Sequence, residues 1–433
     1  MSDGSPRAGT GSRAGIRGIA RRLSWGLGDQ AVSSISNFLV GLVVARELGV
    51  AAFGVFGLAW VTYGVILNIS RGLATDPLVV RFSGVSTEEW RAATARAAGT
   101  AIAVGIVFGA LSALAGLAIG GSLGGAFLAL AVVTPGLLLQ DAWRFAFFAA
   151  GQGHKAFVND TVWTVVMIPL LLLAAIHSTV WGFVLAWGGA ALVAAGFGLL
   201  QSGVAPHFNG VRDWLARHRD LGARYMVENV SNSGASQLRM YGLGAIAGLA
   251  DVGAIRGAEL LLGPFLALLM GVSLVAVPEA ARVLRRAPHR LVKFCVLIGG
   301  AQAAAAALWG AALLLVVPDA LGRFLLNEVW APASHLILPV SLSVTAAGIV
   351  AGATAGLRAL GAARRSLRVQ LVASAGYLGF GLAGAALGGA VGMSWGSTTA
   401  MWLGAGLWWW QLRAAARDHT PVSEPELVEV SAP

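Results

Sequence analysis

Two stretches place charged and polar side chains at helical spacing inside otherwise apolar sequence. In the first, Asp29, Ser33, Ser36 and Asn37 fall on one helix face, flanked by Gln30 and Ser34. In the second, Glu228, Asn232, Ser236 and Arg239 recur in the same manner. Carboxylates so placed can take and release a proton or hold a cation. An arginine can clamp an anion through its planar fork of donors. Asp141 and Arg144 lie three apart on another apolar stretch, where they can neutralise each other or meet a ligand. Arg71, Asp76 and Arg81 follow an apolar stretch closely, and solvated interface charges explain them better than a site does. No HExxH or Cys/His cluster occurs, and Cys295 is alone, so neither a metal site nor a cofactor is expected. Residues Gly379 to Gly384 match GxGxxG but have no strand before them and no acidic partner downstream, so the match carries no weight.

The elements that must position these groups are set by composition. Hydrophobic residues make up 57% of the chain and charged residues 12%, against about 25% charged in a soluble domain. The mean hydropathy is +0.75. About twelve apolar stretches are each long enough to cross a ~30 Å hydrocarbon core as a helix. They lie at roughly 26–46, 53–70, 98–119, 126–148, 158–177, 180–202, 226–248, 257–277, 294–317, 337–356, 370–389 and 390–411. With the N-terminus inside, only Arg46, Arg256 and Arg323 of the 30 Lys and Arg fall outside, while Arg144 and Arg239 sit within spans. Basic residues near span ends resist translocation, so this bias predicts cytoplasmic ends. It also explains the net charge of +10 through topology and attraction to membrane lipids, and no nucleic acid is expected as a partner.

The seventh span is the most polar, and loop charge decides in its favour. Without it the basic clusters at 282–293 and 358–368 would lie outside. The expected organisation is a disordered cytoplasmic tail at 1–16, a six-helix lobe at 17–210, an amphipathic connector on the inner leaflet at 211–224, a second six-helix lobe at 225–413, and a tail at 414–433. A second surface helix is expected at 86–97, where Ser86 and Glu89 have capping-box spacing. An offset of 202 superposes the two halves weakly, setting Asn37 on Arg239 and Val50 on Val252. Lipid cannot satisfy the two polar stripes. Either they hold the bundle together by interhelical hydrogen bonds, or they face a shared central cavity.

Residues 23–30, Leu-Ser-Trp-Gly-Leu-Gly-Asp-Gln, then Ser33-Ser34, Asn37-Phe38, residues 45–49 (Ala-Arg-Glu-Leu-Gly) and Phe53-Gly54, resemble the start of bacterial polysaccharide exporters. So do residues 139–144 (Leu-Gln-Asp-Ala-Trp-Arg), with Phe148-Ala149 and Asn159-Asp160 beyond. These exporters include the O-antigen flippases of the multidrug/oligosaccharidyl-lipid/polysaccharide (MOP) exporter superfamily. The resemblance is sharpest over the first 160 residues and rests on topology afterwards. It implies an all-α polytopic membrane protein with two pseudo-symmetric six-helix lobes around a central cavity, as in MATE carriers. It implies a bacterial cytoplasmic-membrane carrier of a polyprenyl-diphosphate-linked oligosaccharide, coupled to H+ or Na+.

On that resemblance Arg239 is the leading contact for the diphosphate, with Arg71 and Arg144 behind it. Asn232, Asn37 and Gln30 are expected in the cavity, and Asp29, Glu228 and Asp141 are the ion-coupling candidates. Glu259 reads as a cap of the eighth span. Two rivals stand beside this reading. One is a drug/cation antiporter of the same superfamily. The other is a membrane-embedded polysaccharide polymerase or acyltransferase, whose only obvious outer chemistry would be Asp319, Arg323, Glu328 and His335.

Overall fold

The computed structural model describes residues 10–418, apart from the side chains of residues 10–23, 27, 228, 231, 232, 264 and 267–275. The described residues form helices and short connections, with no strand among them. The first lobe holds α1 (Thr10–Glu47), α2 (Val50–Ser70), α3 (Asp76–Phe82), α4 (Thr87–Ile119), α5 (Gly121–Ala149), α6 (Gly153–Ala175) and α7 (Val180–Ser202). A π-helical turn, Arg71–Thr75, joins α2 to α3 without a break. The connector contains α8 (Val211–Arg217). The second lobe holds α9 (Arg219–Ile246), α10 (Leu249–Arg286), α11 (Leu291–Leu315), α12 (Asp319–Leu326), α13 (Trp330–Ser334), α14 (Ile337–Ala359) and α15 (Ala363–Arg417).

Nine helices among the described residues are long and apolar enough to cross a membrane. One of them, α15, is two helices in fact. Gly388 and Gly389 leave helical geometry, and Gly389 takes φ 55°, which a residue without Cβ adopts at little cost. The halves then fold back so tightly that a Cβ on Gly384 or Gly392 would meet the other's carbonyl oxygen. Counted as two, and with α9 and α10 added, the helices are compatible with the expected twelve crossings. The outer surface is apolar, with Leu114, Leu117, Leu297, Leu308 and Leu387 exposed, while Asp29, Asp141, Asp160 and Arg239 are buried. That distribution suits lipid outside and polar groups sheltered within.

The lobes repeat one packing plan: α1 lies on α6 as α9 lies on α15, and α4 on α5 as α11 on α14. Their symmetry is plainest where α2 crosses α10. A Cβ on Gly54 would meet the Leu249 carbonyl oxygen at 1.8 Å, and one on Gly253 would meet that of Val50 at 2.0 Å. Gly49 and Gly248 occupy the matching N-cap positions. Val50 therefore corresponds to Leu249, not to Val252 as the weak sequence offset suggested. The corrected register sets Asp29 on Glu228, Gln30 on Asn229, Ser33 on Asn232, Ser34 on Ser233 and Asn37 on Ser236. The polar stripe is thus the repeated feature, and the earlier offset missed it by about one helical turn.

Several boundaries differ from the sequence reading. The expected tails are shortened, because α1 runs from Thr10 and α15 to Arg417, while residues 1–9 and 419–433 lie outside the described residues. The capping box at Ser86 and Glu89 forms, yet it starts α4 and not a separate surface helix. The connector helix α8 turns its tryptophan into protein and not into the leaflet. Trp214 is 2% exposed, stacks on Phe82 and donates to the Leu73 carbonyl at 3.1 Å. A ring buried between helices escapes water as completely as one in lipid, and here its N–H is also satisfied.

Candidate functional site

A cavity of about 700 Å³ lies between the lobes. Its first-lobe wall carries Gln30, Ser34 and Asn37 from α1, with Phe53, Phe56 and Trp60 from α2. Its second-lobe wall carries Ser236 and Arg239 from α9, Arg256 and Glu259 from α10, and Ser343, Tyr377, Ser394 and Ser397 from α14 and α15. Among the described residues, the charged lining is confined to the second lobe. The corrected register shows why: Gly57 and Trp60 stand where the second lobe has Arg256 and Glu259.

The three charges form one arrangement. Arg239 is 4% exposed and donates from Nη2 to Glu259 Oε1 at 2.9 Å and from Nη1 to Ser397 Oγ at 3.2 Å. Its guanidinium stacks over Tyr377, 4.9 Å from the ring centre. Arg256 Nη1 donates to the other carboxylate oxygen of Glu259 at 3.1 Å. Glu259 is therefore no helix cap, since α10 begins at Leu249 and places it in the third turn, facing two guanidiniums. Arg256 is likewise not in an outer loop but on the cavity wall. Arg239 Nε remains without a hydrogen-bond partner, and Glu259 and Arg256 are each about a quarter exposed, at 25% and 26%. Among the described residues, two cations against one anion leave this wall of the cavity formally positive.

The remaining expected site residues collect elsewhere, inside the first lobe. Asp29 is fully buried, at 0% exposure. It accepts from Arg144 Nε at 2.6 Å, and Arg144 also lies 3.6 Å from Asp160. Arg71 donates through Nε and Nη2 to the two oxygens of Asp141, at 3.0 and 2.7 Å. Gln140 donates to Asn159 and Asp160 at 3.2 and 2.7 Å. Asp141 and Arg144 therefore do not form the i,i+3 pair considered from sequence. Each finds better geometry across a helix interface, where a bidentate fork fits a carboxylate. The π-helical turn inserts one extra residue per turn just where Arg71 must swing toward α5. None of Arg71, Arg144, Asp29 or Asp141 lines the cavity, whereas Gln30, Asn37 and Arg239 do. The side chains of Glu228 and Asn232 lie outside the described residues.

The α1 stripe accordingly splits. Its Asp29 side turns into the lobe to meet Arg144, while Asn37 and the flanking Gln30 and Ser34 face the cavity. Sequence reasoning passed over Asp160, Arg256, Glu259, Tyr377 and Trp60 as site residues. Asp160 had a usable signal, since a carboxylate within a span is costly and marks a partner.

Both ends of the lobe interface are tied. On the face carrying the connector, Asn68 donates to Ser233 at 2.9 Å, Asn229 to Asp76 at 2.8 Å and Arg81 to Asp220 at 2.8 Å. On the opposite face, Arg46 donates to the Phe324 carbonyl at 2.7 Å and Asn327 to the Arg46 carbonyl at 3.1 Å. Beside the connector, burial pushes the His218 imidazole below its ordinary value, against the opposing hydrogen bond to the Trp214 carbonyl.

Comparison of folds places this arrangement. An inward-facing multidrug resistance MATE family transporter of the MOP superfamily matches 90% of this chain and 96% of its own, with a TM-score of 0.63 at 14% identity. The lipid II flippase MurJ, in an inward closed conformation, matches 88% of this chain and 86% of its own, with a TM-score of 0.63 at 12% identity. A MOP superfamily transporter from Pyrococcus furiosus Vc1, whose reverse polarity of binding pocket suggests a different function, matches 92% and 95%, with a TM-score of 0.59 at 13% identity. No protein-family model matches the chain, and no curated protein matches it in sequence. The chain has the two-lobed, all-α fold of polytopic MOP superfamily transporters.

Proposed function

We propose that the chain carries a polyprenyl-diphosphate-linked oligosaccharide across a bacterial cytoplasmic membrane, by alternating access of the central cavity, with both termini cytoplasmic. The observation that carries this reading is the positive pole of the cavity. Arg239 and Arg256 reach one carboxylate from two sides, the geometry that two phosphate oxygens would use. The opposite wall supports the rest of such a substrate. Amides and hydroxyls of Gln30, Ser34 and Asn37 suit sugar hydroxyl groups, and Phe53, Phe56 and Trp60 offer apolar ring faces.

Asp29 and Asp160, gathered on Arg144, are the groups we assign to coupling with H+ or Na+. Three carboxylates meet two guanidiniums in that cluster, so one negative charge is left for a cation to balance. Arg71, Arg144 and Asp141 serve that cluster and not the substrate.

The test is to replace Arg239 and Arg256 separately with Gln in the native host and assay surface polysaccharide. Loss of export with protein still in the membrane is expected. Full export by both variants overturns the site, and arginine-independent efflux of a cationic drug would favour the antiporter reading.

A further inference from the structure

Resting on that reading of the cavity, we propose that Glu259 is an exchangeable counter-anion that takes up one proton when a doubly negative group enters. Its two oxygens satisfy Arg239 and Arg256 at once. Without it, two guanidiniums would face each other across a chamber walled by membrane helices, an arrangement that like-charge repulsion opposes. Glu259 thus occupies the seat that an entering anion must use. It is also free to leave: its side chain is 25% exposed, whereas that of Arg239 is only 5% exposed and held by Tyr377 and Ser397.

Charge balance decides what happens next. Two arginines and one ionised carboxylate leave a single positive charge. A dianion entering beside ionised Glu259 would overshoot by one negative charge in a low-dielectric chamber. Displacement also strips Glu259 of both guanidinium partners and sets it against new negative oxygens. One proton is taken up from the buffered solvent by a Glu259 oxygen, the dianion meets both arginines, and the site closes neutral.

Among the described residues, no other titratable side chain on the cavity wall can take this role. From α9 comes Arg239 and from α10 itself Arg256. From α15 comes the Tyr377 phenol, already under the Arg239 guanidinium. The walls from α1, α2 and α14 offer amides, hydroxyls and apolar groups. Behind the wall, α11 meets α10 through Trp309 on the Leu261 carbonyl, and Val329 and Ala333 pack on Gly257. Glu259 therefore couples anion binding to proton binding within the second lobe, apart from the buried carboxylates of the first.

The experiment uses purified full-length protein and a short-chain prenyl-diphosphate monosaccharide, a diester that stays doubly negative from about pH 6 to about pH 8. Calorimetry in two buffers of different ionisation heat is expected to show close to one proton taken up per diester bound. Affinity is expected to fall by up to about tenfold per pH unit as pH rises, the slope of one linked proton. Glu259→Gln is expected to bind more tightly near pH 8 and to lose the slope. Binding by the unmodified protein with no proton uptake, or Glu259→Gln binding more weakly with the slope intact, overturns the proposal and leaves the anion site standing. No diester binding by the unmodified protein at any pH overturns both.

Discussion

The two lobes begin from the same polar stripe and use it in opposite ways. In the first, Asp29 turns inward and joins Asp141, Asp160, Arg71 and Arg144 in a cluster whose carboxylates are buried and in excess. In the second, Arg239, Arg256 and Glu259 face the cavity with an excess guanidinium. The substitutions responsible are few. Where the first lobe has Gly57 and Trp60, the second has Arg256 and Glu259. One backbone plan thus carries an excess carboxylate in one lobe and an excess guanidinium in the other, without any change of fold.

The comparison breaks most visibly at Arg144. Arg144→Gln leaves Asp29 and Asp160 buried without their cation, which costs about 3–5 kcal/mol. Thermal unfolding in detergent should show a large loss, while diphosphate-diester affinity of the folded fraction stays within a few fold. Arg239→Gln should do the reverse. It should remove about 2–5 kcal/mol of anion affinity, with less loss of stability, because Glu259 keeps Arg256. If both variants lose the same property to the same degree, the division between lobes fails.

Next in size is Gly54→Ala. Its Cβ would meet a backbone oxygen that cannot move aside, so α2 and α10 must part at their crossing, at a cost of about 1–3 kcal/mol. Spin labels on 46 and 324 should report a longer separation than in the unmodified protein. An unchanged distance would show that the crossing is not what seals that face.

The smallest effect concerns His218. Its folded value lies below the ordinary 6.5 because burial disfavours the charged ring. The unfolded chain therefore binds the proton first, and stability present above about pH 6.5 declines as pH falls through that value. His218→Gln should flatten this decline in unfolding scans run from pH 7.5 to pH 5.5. An unaltered profile would assign the dependence to other groups.

How much of this was legible in sequence differs between the lobes for a physical reason. Loop charge and span length gave the two-lobed helical fold and retained α9 despite its polarity, because basic residues near span ends carry a topological signal that single helices lack. The break between the last two helices fell at residue 389 on span length alone, where the chain turns at Gly388 and Gly389. Arg239 was readable because a lone cation within a span is costly. Its partner was not. Glu259 lies on a different helix, and one-dimensional spacing favours neighbours such as Asp141 and Arg144, which prefer partners across helix interfaces. The stripe on α1 was read as one face, but a face spans enough arc for Asp29 and Asn37 to meet different surroundings.

The central claim is that the cavity's charges are wet and the first lobe's carboxylates are buried. Its most direct test is the rate of labelling by a membrane-impermeant thiol reagent at single cysteines placed at 29, 37, 160 and 236, in a Cys295→Ser background. Positions 37 and 236 should react quickly and be protected by the diphosphate diester, while 29 and 160 react far more slowly in the folded protein. Fast labelling at 29 or 160, or no labelling at 37 and 236 with the cavity open to either face, would contradict the account.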